Sequence, residues 1–450
     1  MKRQFDVVVL GTGSAGSNVA HTCRAAGWNV AIVDWRPFGG TCALRGCDPK
    51  KVLVGVAELV DWSRRMRARA VVSSELRIDW PALIAFKKSF TDPVPRDREE
   101  DYKQAGIVPF HAKARFVGRS SVAVGDDVLE ARHVVIATGA KPASLGIDGE
   151  SHLITSEQFL ELPQLPRRML FVGGGYISFE FAHVAVRAGA EVQVLHRGNR
   201  PLENFDTDLV SQLVDASRAL GITISLNTAV QSIEQLQGRT IVHATKAGRE
   251  RTFEADAAVH GAGRVPDIDE LDLDAAQVGH SKSGVEVNQF LQSKTNSAIY
   301  AAGDTAAAGG LPLTPVAALE GEIVAENLLH GNRRSVDFTG LTSIVFTIPP
   351  LAAVGLSAAQ AANQGLRYRV SQGDMAGWYS SRRLAVNVAS YKVLVEEGTD
   401  RILGAHILGP HAEEQANILA LAIRAGIRSS DIENVLFGYP TGASDLEHML

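Results

Sequence analysis

Cysteine is scarce in this chain, which has three among its 450 residues. So few cysteines exclude the disulfide framework that holds small secreted domains together. Aromatic residues make up only 6% of the chain, and no apolar run approaches the ~20 residues of a membrane-spanning helix. The excess of negative charge is small, with a formal net charge of −5. This charge gives no reason to expect a nucleic acid or an anionic membrane as a partner.

Length and the N-terminal residues set two further expectations. A chain of this length is too long for one core and predicts about three domains. The start, Met1–Asp6, leads into a strand-like run rather than into a signal peptide. Because reactive cysteines without a disulfide framework suit a reducing compartment, we expect a cytoplasmic protein.

A nucleotide-binding pattern opens the chain. The β-branched run Val7–Leu10 ends in Gly11-Thr12-Gly13-Ser14-Ala15-Gly16, a helical pattern follows, and a second strand, Val30–Val33, ends at Asp34. This order predicts a Rossmann unit, in which glycines permit close backbone approach, a helix N-terminus faces a pyrophosphate and the acid binds ribose hydroxyls. The candidate ligands are Gly11, Gly13, Ser14, Gly16 and Asp34.

The same pattern returns in the middle of the chain. The strand Met169–Val172 precedes Gly173-Gly174-Gly175-Tyr176-Ile177-Ser178, a helix, and the strand Val192–Leu195. Ser178 replaces the third small residue, which helix–strand packing should tolerate. Two such units predict two dinucleotides and an α/β fold with two Rossmann-like domains. The candidate ligands of the second unit are Gly173, Gly175, Tyr176 and Ile177.

Two of the cysteines, Cys42 and Cys47, lie five residues apart just after the first nucleotide pattern. On a regular helix such residues are about 7.5 Å apart along the axis, which exceeds the ~7 Å Cα separation that a disulfide allows. Bonding the pair needs a distorted turn, and Gly46 supplies the backbone freedom. A structural zinc site is excluded because no nearby His or Cys completes four ligands, so we predict no metal. Two buried structural thiols remain the alternative, and Cys23 is interpreted as a buried core thiol.

The segment Gly39-Gly40-Thr41-Cys42-Ala43-Leu44-Arg45-Gly46-Cys47-Asp48-Pro49-Lys50 closely resembles the redox motif of the flavin-dependent pyridine nucleotide-disulfide oxidoreductases. This is the family of glutathione reductase, dihydrolipoamide dehydrogenase and mercuric reductase, and the resemblance covers essentially the whole chain. It implies FAD at the first Rossmann unit, NADH or NADPH at the second, and a homodimer formed through a C-terminal α+β domain. The implied domains are 1–145 with 265–335 for FAD, 146–264 for NAD(P)H, and 336–450 for dimerisation.

Other segments resemble flavin-side motifs of the family. Val134–Gly139 and Ala258–Arg264 are similar to the passages that link the nucleotide domains, and Ile299–Asp304 is similar to the second flavin motif. The Asp of that motif contacts the ribityl or pyrophosphate region. The further cofactor-binding residues implied by the resemblance are Gly40, Thr41, Thr138, Gly139, Gly263, Arg264, Gly303 and Asp304.

The resemblance also implies catalytic roles. Electrons would pass from the nicotinamide to the flavin and then to Cys47, the flavin-proximal sulfur, while Cys42 is the outer thiol that attacks the acceptor. Lys50 and Glu180 would form an ion pair beside the flavin N5 edge. Tyr176 matches the aromatic gate over the flavin, with plain core packing as its alternative interpretation.

Nicotinamide preference depends on the residues after the second Rossmann strand. The segment Leu195-His196-Arg197-Gly198-Asn199-Arg200 lacks the acid that is common in NAD-selective sites. Arg197 and Arg200 are candidates for pairing with a 2′-phosphate, although solvated surface arginines are the alternative. We therefore predict NADPH, with NADH as the second possibility.

The C-terminal segment departs from the family pattern. Tyr439 stands where disulfide reductases carry a His that protonates the leaving thiol, and Ser444 stands where they carry Glu. A phenol with a pKa of ~10 is a poor match for this task, whereas imidazole near ~6.5 is well suited. Mercuric reductases also carry Tyr here, but this chain ends without their terminal cysteine pair. His21 and Glu322 replace arginines that hold the glutathione carboxylates in glutathione reductases.

These observations predict an FAD-dependent NAD(P)H oxidoreductase with a redox-active Cys42–Cys47 pair. Its small-molecule acceptor would be one that does not require the usual His, namely a metal ion, a quinone or other electrophile, or an unusual disulfide. One alternative is a conventional low-molecular-weight disulfide reductase or dihydrolipoamide dehydrogenase with a substitute acid. Another is a redox-sensing flavoprotein without turnover. The predicted catalytic residues are Cys42, Cys47, Lys50, Glu180, Tyr176 and Tyr439.

Overall fold

The computed structural model describes residues 1–67, 69, 71–72 and 76–450. Its helices are α1 (Ser14–Ala25), α2 (Gly40–Arg45), α3 (Cys47–Met66), α4 (Trp80–Thr91), α5 (Val94–Gln104), α6 (Ser156–Leu160), α7 (Tyr176–Arg187), α8 (Thr207–Ala219), α9 (Thr314–His330), α10 (Ala358–Asn363), α11 (Tyr379–Arg383), α12 (Ala412–Ala425) and α13 (Ser429–Glu433). Its strands are β1 (Lys2–Leu10), β2 (Val30–Val33), β3 (Val108–Phe110), β4 (Ala114–Phe116), β5 (Ser121–Val124), β6 (Asp127–Ile136), β7 (Ala140–Pro142), β8 (Arg168–Val172), β9 (Glu191–Leu195), β10 (Thr223–Ser225), β11 (Thr228–Leu236), β12 (Arg239–Lys246), β13 (Arg249–Ala255), β14 (Ala257–His260), β15 (Arg264–Pro266), β16 (His280–Ser281), β17 (Gly284–Val285), β18 (Ile299–Ala301), β19 (Thr342–Val345), β20 (Leu351–Gly355), β21 (Tyr368–Asp374), β22 (Ser390–Glu396) and β23 (Ile402–Leu408).

The chain packs as two units. The first unit consists of Met1–Lys50, Ala85–Ala143 and Gly263–Phe338, and the second consists of Lys51–Ile84, Ser144–Ala262 and Thr339–Leu450. The second unit thus contains the predicted NAD(P)H segment up to Ala262 and the predicted dimerisation segment from Thr339 onward. The domain limits drawn from the resemblance stay a prediction.

A parallel sheet forms the centre of the first unit. Strands β3, β2, β1, β6 and β18 lie side by side in that order and run parallel, and β6 also pairs antiparallel with β5. Val7, Val8 and Val9 of β1 are fully buried, as expected for a strand covered on both faces of a parallel sheet. In this register Leu10, Val33, Ile136 and Ala301 all end at the same edge of the sheet. The first predicted Rossmann unit is therefore confirmed as a fold.

The second unit combines a parallel and an antiparallel sheet. Strands β10, β9, β8 and β14 form the parallel sheet, and helix α7 connects β8 to β9, as the second nucleotide pattern predicts. Strands β19, β20, β23, β22 and β21 form an antiparallel sheet whose residues share a core with α12. The predicted fold class, with two Rossmann-like units and a C-terminal α+β part, is confirmed.

Candidate active site

The first nucleotide loop requires glycine at two positions. Gly11 follows β1 with a φ of 111°, a conformation that residues with a side chain rarely adopt. A Cβ atom on Gly11 would lie 2.2 Å from the Ala137 carbonyl oxygen, and one on Gly16 would lie 2.1 Å from the Gly11 oxygen. The backbone of this loop is therefore packed so closely on itself that only glycine fits at positions 11 and 16.

Helix α1 begins beside this loop with open N–H groups. Its N-cap is Gly13, and no side chain of the described residues caps it. Helices α6 and α8, by contrast, are capped by the side chains of Thr155 and Asp206. An uncapped N-terminus next to a glycine loop suits the pyrophosphate of a dinucleotide.

Asp34 connects the glycine loop to the redox segment. Its Oδ2 accepts hydrogen bonds from the Thr12 N–H at 3.0 Å and from the Thr12 hydroxyl at 2.7 Å. The same hydroxyl accepts a hydrogen bond from the Gly39 N–H at 3.1 Å. Asp34 Oδ1 accepts one hydrogen bond, from the Arg36 N–H, so this oxygen retains capacity for the predicted ribose contact.

The predicted flavin-side residues gather at the same sheet edge. β6 and β18 end next to β1, so Thr138, Gly139, Gly303 and Asp304 leave the sheet beside Gly11. The Thr138 hydroxyl donates to the Asp267 carbonyl oxygen at 2.6 Å. Burial raises the pKa of Asp304 above its usual value.

Two predicted residues of the linking passage lie in the adjacent strand pair. β15 pairs with β7, and the Arg264 guanidinium donates a hydrogen bond to the Ala140 carbonyl oxygen. Gly263, just before β15, has a φ of 112°. These contacts place Gly263 and Arg264 in the first unit together with the other predicted FAD residues.

The second nucleotide loop repeats the geometry of the first. Gly173 has a φ of 110°, and a Cβ atom on it would lie 2.3 Å from the Gly261 carbonyl oxygen. Helix α7 begins at Tyr176 from the N-cap Gly175, again without a side-chain cap among the described residues. Ser178 is fully buried, and its hydroxyl approaches residue 261 so closely that only glycine fits there. Packing therefore tolerates Ser178 as predicted, because Gly261 lies opposite it.

The redox segment is two helices separated by Gly46. Helix α2 ends at Arg45, and helix α3 starts at Cys47. This interruption is the distorted turn that the cysteine spacing predicts. Gly40 has a φ of 72° and packs on Gly13, where a Cβ atom would lie 2.5 Å from the Gly13 Cα. The first nucleotide loop and the cysteine segment are thus in direct contact.

Both cysteines of the pair are thiols in this structure, with Cys42 half-buried and Cys47 exposed. The interaction with the neighbouring Cys42 thiol lowers the pKa of Cys47 to about 6, and the same interaction raises the pKa of Cys42. The Thr314 hydroxyl, 3.4 Å from Cys47 Sγ, and the positive charge of Lys50 also lower the pKa of Cys47, whereas partial shielding of its sulfur from water opposes them. At neutral pH the pair therefore carries a thiolate on Cys47 and a thiol on Cys42. Cys23 is fully buried, as predicted.

Tyr176 is held in the second unit by a hydrogen bond and a ring contact. Its hydroxyl lies 2.7 Å from the Ser343 hydroxyl, and its ring meets the edge of Phe205 at 5.7 Å. Burial raises the pKa of Tyr176. Its predicted function as a gate stays a prediction.

Glu180 belongs to a row of buried polar residues on one face of α7. Its carboxylate accepts the Phe346 N–H at 2.8 Å, and His183 Nδ1 accepts the Ile348 N–H at 3.1 Å. Arg187 donates to the Ile348 carbonyl oxygen at 3.0 Å and pairs with Asp61 at 2.8 Å. This row fixes the orientation of Glu180 in the second unit. Lys50 is buried in the first unit, so the predicted Lys50–Glu180 pair stays a prediction.

The two predicted phosphate-binding arginines differ in their environments. Arg200 donates to the Phe205 and Glu203 carbonyl oxygens and to the Thr207 hydroxyl, at 3.1, 2.7 and 2.6 Å. Arg197 is exposed. Arg200 therefore shapes its own loop, and Arg197 is the better candidate for a ligand contact.

The C-terminal segment presents Tyr439 to solvent. The Tyr439 side chain is 77% exposed, and its ring lies 6.3 Å from that of Tyr379. Asp445 accepts a hydrogen bond from the Ser380 hydroxyl, and burial raises the pKa of Asp445. His448 is exposed and packs edge-on against Trp378.

The two positions that differ from glutathione reductases, His21 and Glu322, hold side chains that already have polar partners. His21 Nε2 lies 3.1 Å from an Asp101 carboxylate oxygen, and its ring packs on Tyr102 at 5.4 Å. Glu322 lies 3.9 Å from Arg334 on the surface. Both positions therefore present groups that do not attract an anionic peptide.

Four residues near these sites were not identified from the sequence. Thr314 begins helix α9 next to Cys47, and Glu320 on the same helix accepts the Gly303 N–H at 2.6 Å. His183 and Arg187 extend the polar face of α7 beyond Glu180. Their spacing of three and seven residues from Glu180 is a helical signal that was available in the sequence.

Family models match nearly the whole chain. The model described as pyridine nucleotide-disulphide oxidoreductase matches residues 5–321, and the model of its dimerisation domain matches residues 341–450. The chain belongs to this family. It is therefore an oxidoreductase of the flavoprotein disulfide reductase type, as predicted.

Similar proteins reduce different acceptors, judging by their names. This oxidoreductase is 33% identical to a glutathione reductase of Burkholderia cepacia, over 99% of this chain and 98% of the relative. It is 29% identical to a mercuric reductase of Staphylococcus aureus, over 98% of this chain and 81% of the relative. Among solved structures, the Cu(II) complex of the HOCl-induced flavoprotein disulfide reductase RclA from Escherichia coli superposes with a TM-score of 0.89, at 26% identity over 99% of both chains.

As a member of this family, the oxidoreductase is FAD-dependent and uses a pyridine nucleotide. The match to the dimerisation domain is consistent with the predicted homodimer. Within the described residues, no helix is both long and apolar enough to cross a membrane. Over the same residues, no group of three or more His, Cys, Asp or Glu side chains is arranged to hold a metal ion.

Proposed function

We propose that this oxidoreductase is a homodimer that transfers electrons from NADPH, through FAD and the Cys42–Cys47 pair, to a thiol-binding metal ion such as Cu(II) or Hg(II). The observation that carries the proposal is the combination of a poised thiolate–thiol pair with an exposed phenol at position 439. Reducing a disulfide requires a proton for the leaving thiolate, and Tyr439 is poorly matched to supply it. A metal ion requires no such proton.

The first glycine loop is the proposed FAD site. Gly11 and Gly16 permit the tight loop, the start of α1 after Gly13 supplies N–H groups for a pyrophosphate, and Asp34 retains an acceptor for the ribose. Asp304 leaves the sheet at the same edge, within reach of the remainder of the cofactor. Bound FAD supplies two-electron exchange between a nicotinamide and the cysteine pair.

NADPH is the proposed electron donor. The second glycine loop and the open start of α7 suit a second pyrophosphate. Arg197, which is exposed just beyond β9, would pair with the 2′-phosphate. Arg200 is engaged with its own loop and would support the position of Arg197 rather than contact the phosphate.

The cysteine pair supplies the two electrons that reduce the metal ion and is itself oxidised to a disulfide. When the ion binds, Cys47 is already a thiolate, and Cys42 loses its proton to the solvent because the metal competes for the sulfur. Formation of the Cys42–Cys47 disulfide then releases two electrons, which reduce two Cu(II) ions to Cu(I) or one Hg(II) ion to Hg(0). Lys50 and the Thr314 hydroxyl stabilise the Cys47 thiolate before the ion arrives.

Glutathione disulfide is the second candidate acceptor, favoured by the similarity to the glutathione reductase of Burkholderia cepacia. Two features of the chain count against it. The His21–Asp101 pair and Glu322 stand where glutathione reductases carry arginines, and the C-terminal His is absent. Loss of a general acid typically costs 10²–10⁴-fold in rate.

An anaerobic acceptor panel tests the proposal. NADPH and NADH oxidation by the purified holoenzyme are followed with Cu(II), Hg(II), a quinone, glutathione disulfide and lipoamide. We expect metal-dependent oxidation of NADPH that is lost in Cys42→Ala, while FAD binding is unchanged. Efficient turnover of glutathione disulfide, with metal ions acting only as inhibitors, would favour the second candidate instead.

A further inference from the structure

Glu320 is a buried carboxyl group beneath the second flavin motif. Its side chain is 2% exposed on α9, and its Oε2 accepts the backbone N–H of Gly303 at 2.6 Å. Gly303 has a φ of 74° and immediately precedes Asp304. Glu320 therefore fixes the turn that presents Asp304.

Close helix packing encloses this carboxyl group. A Cβ atom on Gly321 would lie 2.6 Å from the Ala15 carbonyl oxygen, and Asn18 donates a hydrogen bond to the Ala318 carbonyl oxygen at 3.0 Å. Helix α1 thus contributes small and neutral residues to the contact with α9. No Lys or Arg of the described residues forms an ion pair with Glu320.

The charged groups around Glu320 are few. Asp304, in the turn that Glu320 supports, acts on Glu320 electrostatically, and its negative charge disfavours a second anion. Arg264, from β15, acts on Asp304. Burial is the main cause that raises the pKa of Glu320 to about 7, so its charge changes across the physiological pH range.

We infer that Glu320 is a positioning residue of the flavin site and that FAD binding is coupled to the uptake of a proton by its carboxyl group. The inference rests on the proposed FAD site at the first glycine loop. Bound FAD would bring two negative phosphates to this site and would exclude water from the turn at Asp304, and both effects would favour the neutral form of Glu320.

The sign of the effect follows from proton linkage. If bound FAD raises the proton affinity of Glu320, the complex holds more protons than the free protein near neutral pH. The FAD dissociation constant must then increase as the pH rises. A tenfold change in proton affinity gives at most a tenfold change in the dissociation constant.

Equilibrium dialysis of the holoenzyme between pH 6 and pH 8.5, with released FAD measured by fluorescence, tests the inference. We expect the dissociation constant of the unmodified protein to rise about threefold to tenfold across this range. Glu320→Gln, which keeps an acceptor for Gly303, should give a flat curve, and Glu320→Met serves as a second neutral variant should Gln fail to fold. Glu326→Gln is the matched control, since Glu326 lies on the same helix but pairs with Arg334 at 3.1 Å.

The outcomes separate this inference from the proposed function. A holoenzyme whose FAD dissociation constant does not change with pH would overturn the inference, and so would a neutral variant that keeps the slope of the unmodified protein. Absence of FAD binding at every pH would instead contradict the proposed function.

Discussion

Replacing Thr314 by Val removes a hydroxyl from the redox centre at nearly constant side-chain volume. The Thr314 oxygen lies 3.4 Å from Cys47 Sγ and helps to lower the pKa of that thiol to about 6. Hydrogen bonds to charged groups contribute about 1.5–3 kcal/mol, but this contact is long and Cys47 is exposed, so about 1 kcal/mol is reasonable. Since 1.36 kcal/mol corresponds to one pH unit, the Cys47 pKa should rise to ~6.7.

Alkylation by iodoacetamide as a function of pH measures this pKa, because the thiolate is the reactive form. The Cys42→Ser background leaves Cys47 as the accessible thiol, since Cys23 is fully buried, and keeps a hydroxyl beside Cys47. Adding Thr314→Val should move the midpoint of the rate profile upward, whereas Thr314→Ser should leave it in place. An unchanged midpoint in the Val variant would show that the Thr314 hydroxyl does not stabilise the thiolate.

Three further predictions follow from the same geometry. Anaerobic reduction of the holoenzyme should produce a long-wavelength thiolate-to-flavin absorbance, and Cys47→Ser should abolish it while FAD stays bound; persistence of the band would reverse the assignment of the two sulfurs. Arg197→Ala should reduce the preference for NADPH over NADH by roughly tenfold or more, as expected for one charge-assisted contact of about 1.5–3 kcal/mol. Arg200→Ala should mainly lower thermal stability. Equal use of NADH by the unmodified enzyme would refute the predicted phosphate contact of Arg197. Tyr439→His should raise turnover of glutathione disulfide by about tenfold or more, with the gain limited because Ser444 cannot orient an imidazole as Glu would; no gain in kcat would mean that position 439 does not reach the reacting thiol.

The surroundings of the buried row on α7, formed by Glu180, His183 and Arg187, determine the protonation state of His183. Because His183 Nδ1 accepts the Ile348 N–H, its remaining proton lies on Nε2, which faces the Ser217 hydroxyl at 2.9 Å. Burial and the adjacent Arg187 charge lower the pKa of His183 well below its usual value. His183 therefore stays neutral across neutral pH and serves the row as a hydrogen-bonding group rather than as a charge.

The sequence by itself determined the features that depend on short stretches of chain. Each Rossmann unit is encoded within about 30 residues, where buried strands, glycines at positive φ and a helix start follow one another in a fixed order. The break at Gly46 was predictable because two cysteines five residues apart on a regular helix are too far apart to form a disulfide. The absence of a His at position 439 and of an acid after β9 is visible without any structure.

Only the tertiary structure decided which distant residues complete the sites. Thr314 lies 267 residues after Cys47, yet its hydroxyl touches the sulfur, and Glu320 supports Gly303 because α9 packs closely on α1. Arg197 and Arg200 look equivalent in the sequence, but the fold of their loop engages one and exposes the other. Such contacts depend on long-range packing, and no short sequence pattern encodes them. The raised pKa of Glu320 and the thiolate on Cys47 therefore become apparent only when the chain is folded.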